Sequence, residues 1–297
     1  MSQLIQLRQK IKSIKTTQKI THAVRLVSMS LYAKLEKRHS PLKYYTQQLK
    51  KIFESLQAIS PDWKHPILLP NDILDTKPLF IIIATSKGLC GSLNSNLFRY
   101  FEETYAEEKT KSVAFITIGK KATSFIQEKS PDNIICNYTE LNSNNYASIA
   151  NDLLDKIMHG KIKYSSVTTY ASNLKTFFIQ KPHKTTLIPF LVDEIEEKIE
   201  ITEKSSPQTT DLVDETEPIW EQKPLEILDY LATCYLREFI IRLLYQSLLA
   251  EQAARFIAMD GSTNNAKKIL EKLTLLYNKQ RQSLITKEVS EFSSTSI

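Results

Sequence analysis

Glycine is scarce in this 297-residue chain, which contains only five. So few can support few tight turns, and long uninterrupted elements are expected. Cysteine is also sparse: Cys90, Cys136 and Cys234 are widely separated and odd in number. That excludes a complete disulfide framework and points to reduced thiols in an intracellular compartment. His22, His39, His65, His159 and His183 fall in no HExxH or similar ligand spacing, so neither a metal nor a cofactor is expected. No run of eighteen apolar residues occurs, which excludes a helical membrane span. The opening MSQLIQLRQK has no apolar signal core, so neither an export signal nor an organelle presequence is expected. Acidic residues are almost missing from the first 52 positions, where Glu36 stands alone against twelve lysines and arginines. A helix with this +11 excess either seeks a polyanion or acidic protein face, or presents a solvated polar face.

What the chain has in abundance is helical periodicity at its two ends. From Pro224 apolar residues recur at helical spacing for about seventy positions, through Leu228, Leu231, Tyr235, Phe239, Leu243, Leu248, Ile257, Ile269, Leu273, Leu276, Leu284 and Val289. At 1.5 Å per residue such a helix would reach roughly 100 Å and needs a partner along most of its length. Steps of three and four residues describe a coiled-coil seam. The N-terminal stretch repeats them at Leu4, Leu7, Ile11 and Ile14, then at Ile20, Val24, Val27, Leu31 and Leu35. A register slip is expected between Ile14 and Ile20, with a local change in winding. The architecture predicted is an antiparallel pair of terminal helices with a domain of another kind between them.

Residues 1–57 form the first helix in this reading, and 58–78 a connector punctuated by Pro61, Pro66, Pro70 and Pro78. LFIIIAT (79–85) reads as a strand buried on both faces. A glycine turn and a helix follow. SVAFITI (112–118), NIICNY (133–138) and SSVTTYAS (165–172) read as further strands, alternating with helices over KKATSFIQEK and 145–162, and 177–180 as an edge segment. Strand and helix in turn define an open, mostly parallel α/β sheet over 79–195, with a last strand that differs. After Pro189 an acidic stretch with one exposed strand leads into a linker (196–218). The long helix occupies 219–292 and 293–297 fray.

Little here resembles catalytic machinery. SKGLCGSLNSN follows the first strand and opens a helix, where backbone N–H groups could cradle phosphate. It matches neither G-x-G-x-x-G nor G-x-x-x-x-G-K-[ST], so a structural turn is the stronger reading. Cys90 in that turn is expected to be a small buried thiol and not a nucleophile. Glu102, Glu103, Glu107 and Glu108 read as solvated helix charge. Two polar clusters interrupt the helical seams: Thr16, Thr17, Gln18, Lys19 and Thr21, and Asn278 to Gln282. They either fix the register of the pair or face outward toward a surrounding partner, and both roles are compatible.

At these residues the chain resembles the gamma subunit of F-type ATP synthases over nearly its whole length. The carrying stretches are LRQKIKSIKTTQKITHAVRLVS (7–28), ATSKGLCGSLNSNL (84–97) and LLAEQAARFIAMDGSTNNAKKILEKLTLLYNKQRQSLITKEVSE. The resemblance implies a long antiparallel coiled coil of the N- and C-terminal helices with an inserted Rossmann-like α/β domain. It implies a central-stalk rotor inside a ring of alpha and beta subunits, with the epsilon subunit and the c-subunit ring as further partners, and no catalysis by the chain itself. The position implied is peripheral, on the cytoplasmic face of the bacterial plasma membrane. Arg281, Gln282 and Thr286 match positions that hydrogen-bond a beta-subunit loop; Lys19 and Arg25 are implied neighbours of acidic beta loops.

The chain departs from the family pattern at Ser86 and Lys87, where Asp-Arg is usual, at Ser92 in place of a glycine, and at Gly261 in place of Asn. Gly261 should cost about 0.5–1 kcal/mol of local helix stability. Two rivals remain on the residues alone. A small α/β enzyme would need a pocket of convergent polar groups, and a nucleic-acid-binding coiled coil would need steeply salt-dependent affinity and base-reading residues.

Overall fold

The computed structural model describes residues 2–60, 63, 65, 77–105, 113–160, 164–189 and 223–295. Helix α1 spans Ser2–Ile59 and α5 spans Pro224–Thr295. Between them lie β1 (Lys77–Ile83), α2 (Leu93–Tyr105), β2 (Ala114–Ile118), α3 (Lys120–Lys129), β3 (Ile134–Tyr138), α4 (Tyr146–Met158), β4 (Tyr164–Thr176) and β5 (Ile179–Ile188). Helix α5 opens at Pro224, where a missing N–H costs nothing, and the N–H groups of Glu226 and Ile227 bond the Lys223 carbonyl. It continues beyond 292, through Thr295. Helix α1 passes through Pro41, which cannot donate to the carbonyl one turn earlier. The expected strand after Pro189 and the 196–218 linker lie outside the described residues.

The chain divides into two compact units. One comprises 32–88 and 92–251. Its five-stranded sheet has the order β3-β2-β1-β4-β5, parallel throughout except for β5, which runs antiparallel to β4. The edge segment expected at 177–180 is therefore longer, a strand reaching Ile188, paired in a hairpin whose turn holds Phe177 and Phe178. Its mixed, half-buried composition hid it from a search for continuous apolar runs. β1 is buried on both faces from Pro78 to Ile83, as a central parallel strand should be. On one face Phe80, Ile82 and Ala84 pack with Phe115 and Tyr170 against Leu97 and Phe101 of α2 and Ala122 and Ile126 of α3. Phe101 meets Tyr170 edge-on at 5.0 Å, a favoured aromatic geometry. Gly119, with φ +91, closes β2 tightly enough that a Cβ would collide with the Ala84 carbonyl.

The long helices contribute to this core. Tyr146 of α4 lies edge-on to Tyr245 of α5, with centroids 5.3 Å apart. The Arg237 Nε donates to Asn151 at 2.6 Å. The Tyr245 hydroxyl donates to the Leu35 carbonyl at 2.7 Å, joining α5 to α1. Phe53 of α1 touches Trp63 and Tyr235, and the Trp63 indole donates to Asp229 at 2.8 Å.

The second unit holds residues 1–31, 89–91 and 252–297. It is a pair of antiparallel helix segments: Thr263 reaches Thr21 while Asp260, nearer the start of α5, reaches Arg25, later in α1. On α1 a screened seam advances as Leu4, Leu7, Ile11, Ile14, Gln18, Thr21, Arg25 and Ser28, with Val24 half-buried beside it. On α5 every residue from Gln252 to Asp260 is screened, and the seam continues through Thr263, Ala266, Leu270, Leu273, Tyr277, Gln280 and Leu284. Both are unbroken 3-4 repeats, the coiled-coil pattern.

This corrects the expected register slip. The seam runs straight through the polar stretch, and Ile20 and Val27, assigned to it from their hydrophobicity, are 57% and 59% exposed. Ile269, Leu276 and Val289 of α5 likewise lie outside. On α1, hydrophobicity misplaced Ile20 and Val27 because Gln18, Thr21, Arg25 and Ser28 occupy the seam, two of them with partners on α5.

Candidate partner interface

The glycine turn after β1 lies at the carboxyl end of the sheet, between β1 and β4, where the strand order reverses and ligands bind in many such folds. Here its polar groups satisfy one another. Asn94 accepts from the Thr85 N–H at 3.2 Å and donates to its hydroxyl at 2.7 Å; that hydroxyl donates to the Lys87 carbonyl at 2.8 Å. The Ser86 hydroxyl accepts from the Leu141 N–H at 3.0 Å. Cys90 is buried, as expected for a small apolar thiol. Gly91 sits at φ +60, and Leu89, exposed, is also left-handed at φ +67. Among the described residues no group of His, Cys, Asp and Glu could hold a metal, and no helix is long and apolar enough to cross a membrane. A crevice of about 10 Å³ lined by Ser172, Asn173, His183, Leu243 and Gln246 has room for about one water.

Elsewhere in the sheet unit, titratable groups pair locally. The Tyr138 hydroxyl donates to Asp152, and Lys156 donates to the same carboxylate at 2.5 Å. These two bonds hold the Asp152 carboxyl below its usual range, while burial pushes the Tyr138 phenol up. Burial with the Glu36 carboxylate beside it pushes Tyr32 up to about 12. Burial lowers His65, which stacks on Trp63, although Asp229 opposes the shift.

What the helical pair offers is surface. Arg8, Lys10, Lys12, Lys15 and Lys19 of α1 are all exposed. So are Arg281, Gln282 and Thr286 near the end of α5. Of the polar clusters singled out in sequence, Gln18 and Thr21 turn into the seam, as does Gln280, whose Oε1 is buried with no hydrogen-bond partner among the described residues. Thr16 and Thr17 instead bond carbonyls of their own helix, at Lys12 and Ser13. The clusters are thus divided: Gln18, Thr21 and Gln280 lie in the seam, and the other residues of both clusters are exposed. Arg25 differs from the other four expected contacts. It is half-buried, its Nη1 is 2.5 Å from Asp260 Oδ1, and its Nη2 is 3.2 Å from His22 Nδ1.

Sequence reasoning missed the outward apolar residues. Ile20, Leu26, Val27, Met29 and Leu31 of α1 are exposed, and Leu275 and Ile285 of α5 join those already named. Exposed apolar residues in this number mark an interaction surface. Extending the 3-4 repeat from Leu4 without interruption would have found them.

An α/β sheet inserted in the chain between two long terminal helices, whose paired segments hold basic and apolar side chains outward, defines a class of interaction subunit. The ATP synthase family model matches residues 3–296. The ATP synthase gamma chain of Glaesserella parasuis is 31% identical over 292 residues, covering 96% of each chain. That of Verminephrobacter eiseniae is 30% identical over 298 residues, covering 97% of this chain and 96% of the other. Among solved structures, a chain of the Euglena gracilis mitochondrial ATP synthase, in the OSCP/F1/c-ring structure in rotational state 3, gives a TM-score of 0.64 at 17% identity. The match covers 99% of this chain and 93% of that one. A chain of the Tetrahymena thermophila mitochondrial ATP synthase central stalk and c-ring gives 0.55 at 18% identity, covering 82% and 98%. This chain belongs to the ATP synthase gamma chain family.

Proposed function

We propose that this chain is the central-stalk rotor subunit of a rotary ATP synthase. It couples ion-driven rotation of a c-subunit ring to conformational changes in surrounding catalytic beta subunits, or runs in reverse as an ATP-driven ion pump. The observation that carries this reading is the helical pair. Its seam pairs Thr21 with Thr263 and Arg25 with Asp260, and the pair holds basic and apolar side chains outward, as a shaft enclosed by an alpha and beta ring requires. The chain performs no bond chemistry. Each orientation of the shaft stabilises a different state of each beta site, so rotation shifts their nucleotide affinities by differential binding.

In this role 1–57 and 219–292 make the coiled coil, 58–78 a connector, 79–195 the inserted domain, 196–218 an acidic linker and 293–297 a tail. The inserted domain meets the epsilon subunit and the c-ring. Lys19, Arg281, Gln282 and Thr286 present exposed heads to the beta subunit, and Arg25, held by Asp260 and His22, contributes its half-buried charge to the same surface. The chain sits peripherally at the cytoplasmic face of the bacterial plasma membrane. Co-purification with alpha and beta subunits at one copy per complex tests the assembly. In that complex the Arg281→Ala, Gln282→Ala double variant should lower coupled ATP hydrolysis while the chain stays folded. Unchanged turnover removes those two contacts. Tight nucleotide binding or hydrolysis by the purified chain alone would instead favour an enzyme.

A further inference from the structure

The seam of the helical pair is not uniformly apolar. From Leu4 to Ile14 it is aliphatic, but the next four α1 seam positions are Gln18, Thr21, Arg25 and Ser28, all at least half-buried and Ser28 only 1% exposed. At two of these positions a polar partner faces them from α5. Thr21 donates to the Gln18 carbonyl and receives Thr263 Oγ1 at 2.9 Å; Thr263 also lies 2.7 Å from the Met259 carbonyl. The Arg25 guanidinium meets Asp260 at 2.5 Å, with side chains 25% and 38% exposed. A pair this accessible adds little to stability. Its position in the seam instead bears on alignment, because a 3-4 repeat is self-similar every seven residues and an aliphatic seam alone tolerates a slip of about 10 Å.

The sequence around the pair penalises both such slips. Moving one heptad in one direction sets Arg25 against Lys267, a like charge, and Thr21 against Leu270. Moving the other way sets Arg25 against Ala253 and Thr21 against Phe256. Either slip takes the carboxylate partner from a half-buried guanidinium, which is costly, and exchanges the Thr21–Thr263 contact for an apolar neighbour, while each hydroxyl keeps the carbonyl of its own helix. We propose that Arg25 and Asp260, with the Thr21 and Thr263 pair, are a register lock that fixes the axial alignment of the two helices. Resting on the rotor reading, the lock makes Arg25 and Asp260 positioning residues for torque transmission: a shaft whose strands shear past one another dissipates the rotation it should pass on.

The test reads register directly. In the full-length chain, Thr21→Cys with Thr263→Cys should form a disulfide in high yield, and Thr21→Cys with Leu270→Cys should not. Adding Arg25→Asp sets carboxylate against carboxylate at Asp260 but offers attraction at Lys267. The 21–263 product should fall several-fold and the 21–270 product appear. Adding Asp260→Arg to Arg25→Asp reverses the pair, and should restore 21–263 cross-linking to within about twofold. In the complex with alpha and beta subunits, Arg25→Asp should lower ion-coupled ATP synthesis more than ATP hydrolysis, and the reversed pair should recover the share that depends on register. Unaltered cross-linking in Arg25→Asp, or no recovery of 21–263 cross-linking in the reversed pair, overturns the lock. If Arg25→Asp fails to fold, the reversed pair alone decides. Failure of the native chain to join alpha and beta subunits would overturn the rotor reading while leaving the cross-linking result intact.

Discussion

The two compact units treat apolar surface in opposite ways. In the sheet unit, Phe80, Ile82, Phe101, Phe115 and Tyr170 are buried almost completely, and α5 is screened on nearly all sides from Phe239 to Glu251. In the helical pair, the aliphatic seam residues Leu4, Leu7, Ile11 and Ile14 are only half-buried, and side chains as large as Leu275 are 71% exposed. A two-helix seam buries one narrow stripe per helix and leaves the remaining circumference open. The sheet unit closes an aromatic core of its own, although Phe178 and Tyr230 stay 75% and 73% exposed. The helical pair has the surface of a component that finishes its burial against another protein.

That contrast can be broken most directly in the core. Phe101→Ala removes a ring packed among Phe80, Phe115 and Tyr170 and should cost about 3–5 kcal/mol in denaturant unfolding. A loss under about 1 kcal/mol would mean that this core is looser than its burial indicates.

Truncation before Leu273 should leave the sheet unit folded, because its boundary in α5 lies at Glu251. It should weaken assembly with alpha and beta subunits more than any single substitution, since it removes several seam positions at once. Unimpaired co-purification of the truncated chain would show that the outer end of the pair carries little of the interface.

Val27→Asp sharpens the comparison from the other side. At 59% exposure it should change the unfolding midpoint by no more than surface substitutions do, within about 0.5 kcal/mol, yet reduce recovery of the complex. Equal loss of stability and assembly would place Val27 in a contact within the chain.

The smallest effect concerns His65, whose pKa burial depresses below the ordinary 6.5. The folded state then disfavours the proton that the unfolded chain accepts. The contribution is intact above pH 6.5 and is lost as pH falls through the lower folded value. Unfolding followed from pH 7.5 to 5.5 should show a falling midpoint, with a shallower slope in His65→Gln. Identical slopes would assign the pH dependence to other groups.

Much of this was legible along the chain. The parallel strands came from short β-branched runs, and the two long helices from apolar spacing and scarce glycine. β5 was underread because a half-buried edge strand has no continuous apolar signature. The candidate interface was legible only in part. Lys19, Arg281, Gln282 and Thr286 are exposed, as partner contacts must be, but Arg25 proved to be held by Asp260, a residue 235 positions away. Ile20 and Val27 were placed in the seam because a hydrophobic side chain is ordinarily assigned inward.

Local periodicity by itself determined that the ends of this chain are long helices and that an α/β sheet lies between them, because backbone geometry converts residue spacing into a face. Only the tertiary structure decided which face each helix turns inward. That choice depends on whether a polar side chain finds its partner across the seam, and the partners of Thr21 and Arg25 lie at the other end of the sequence.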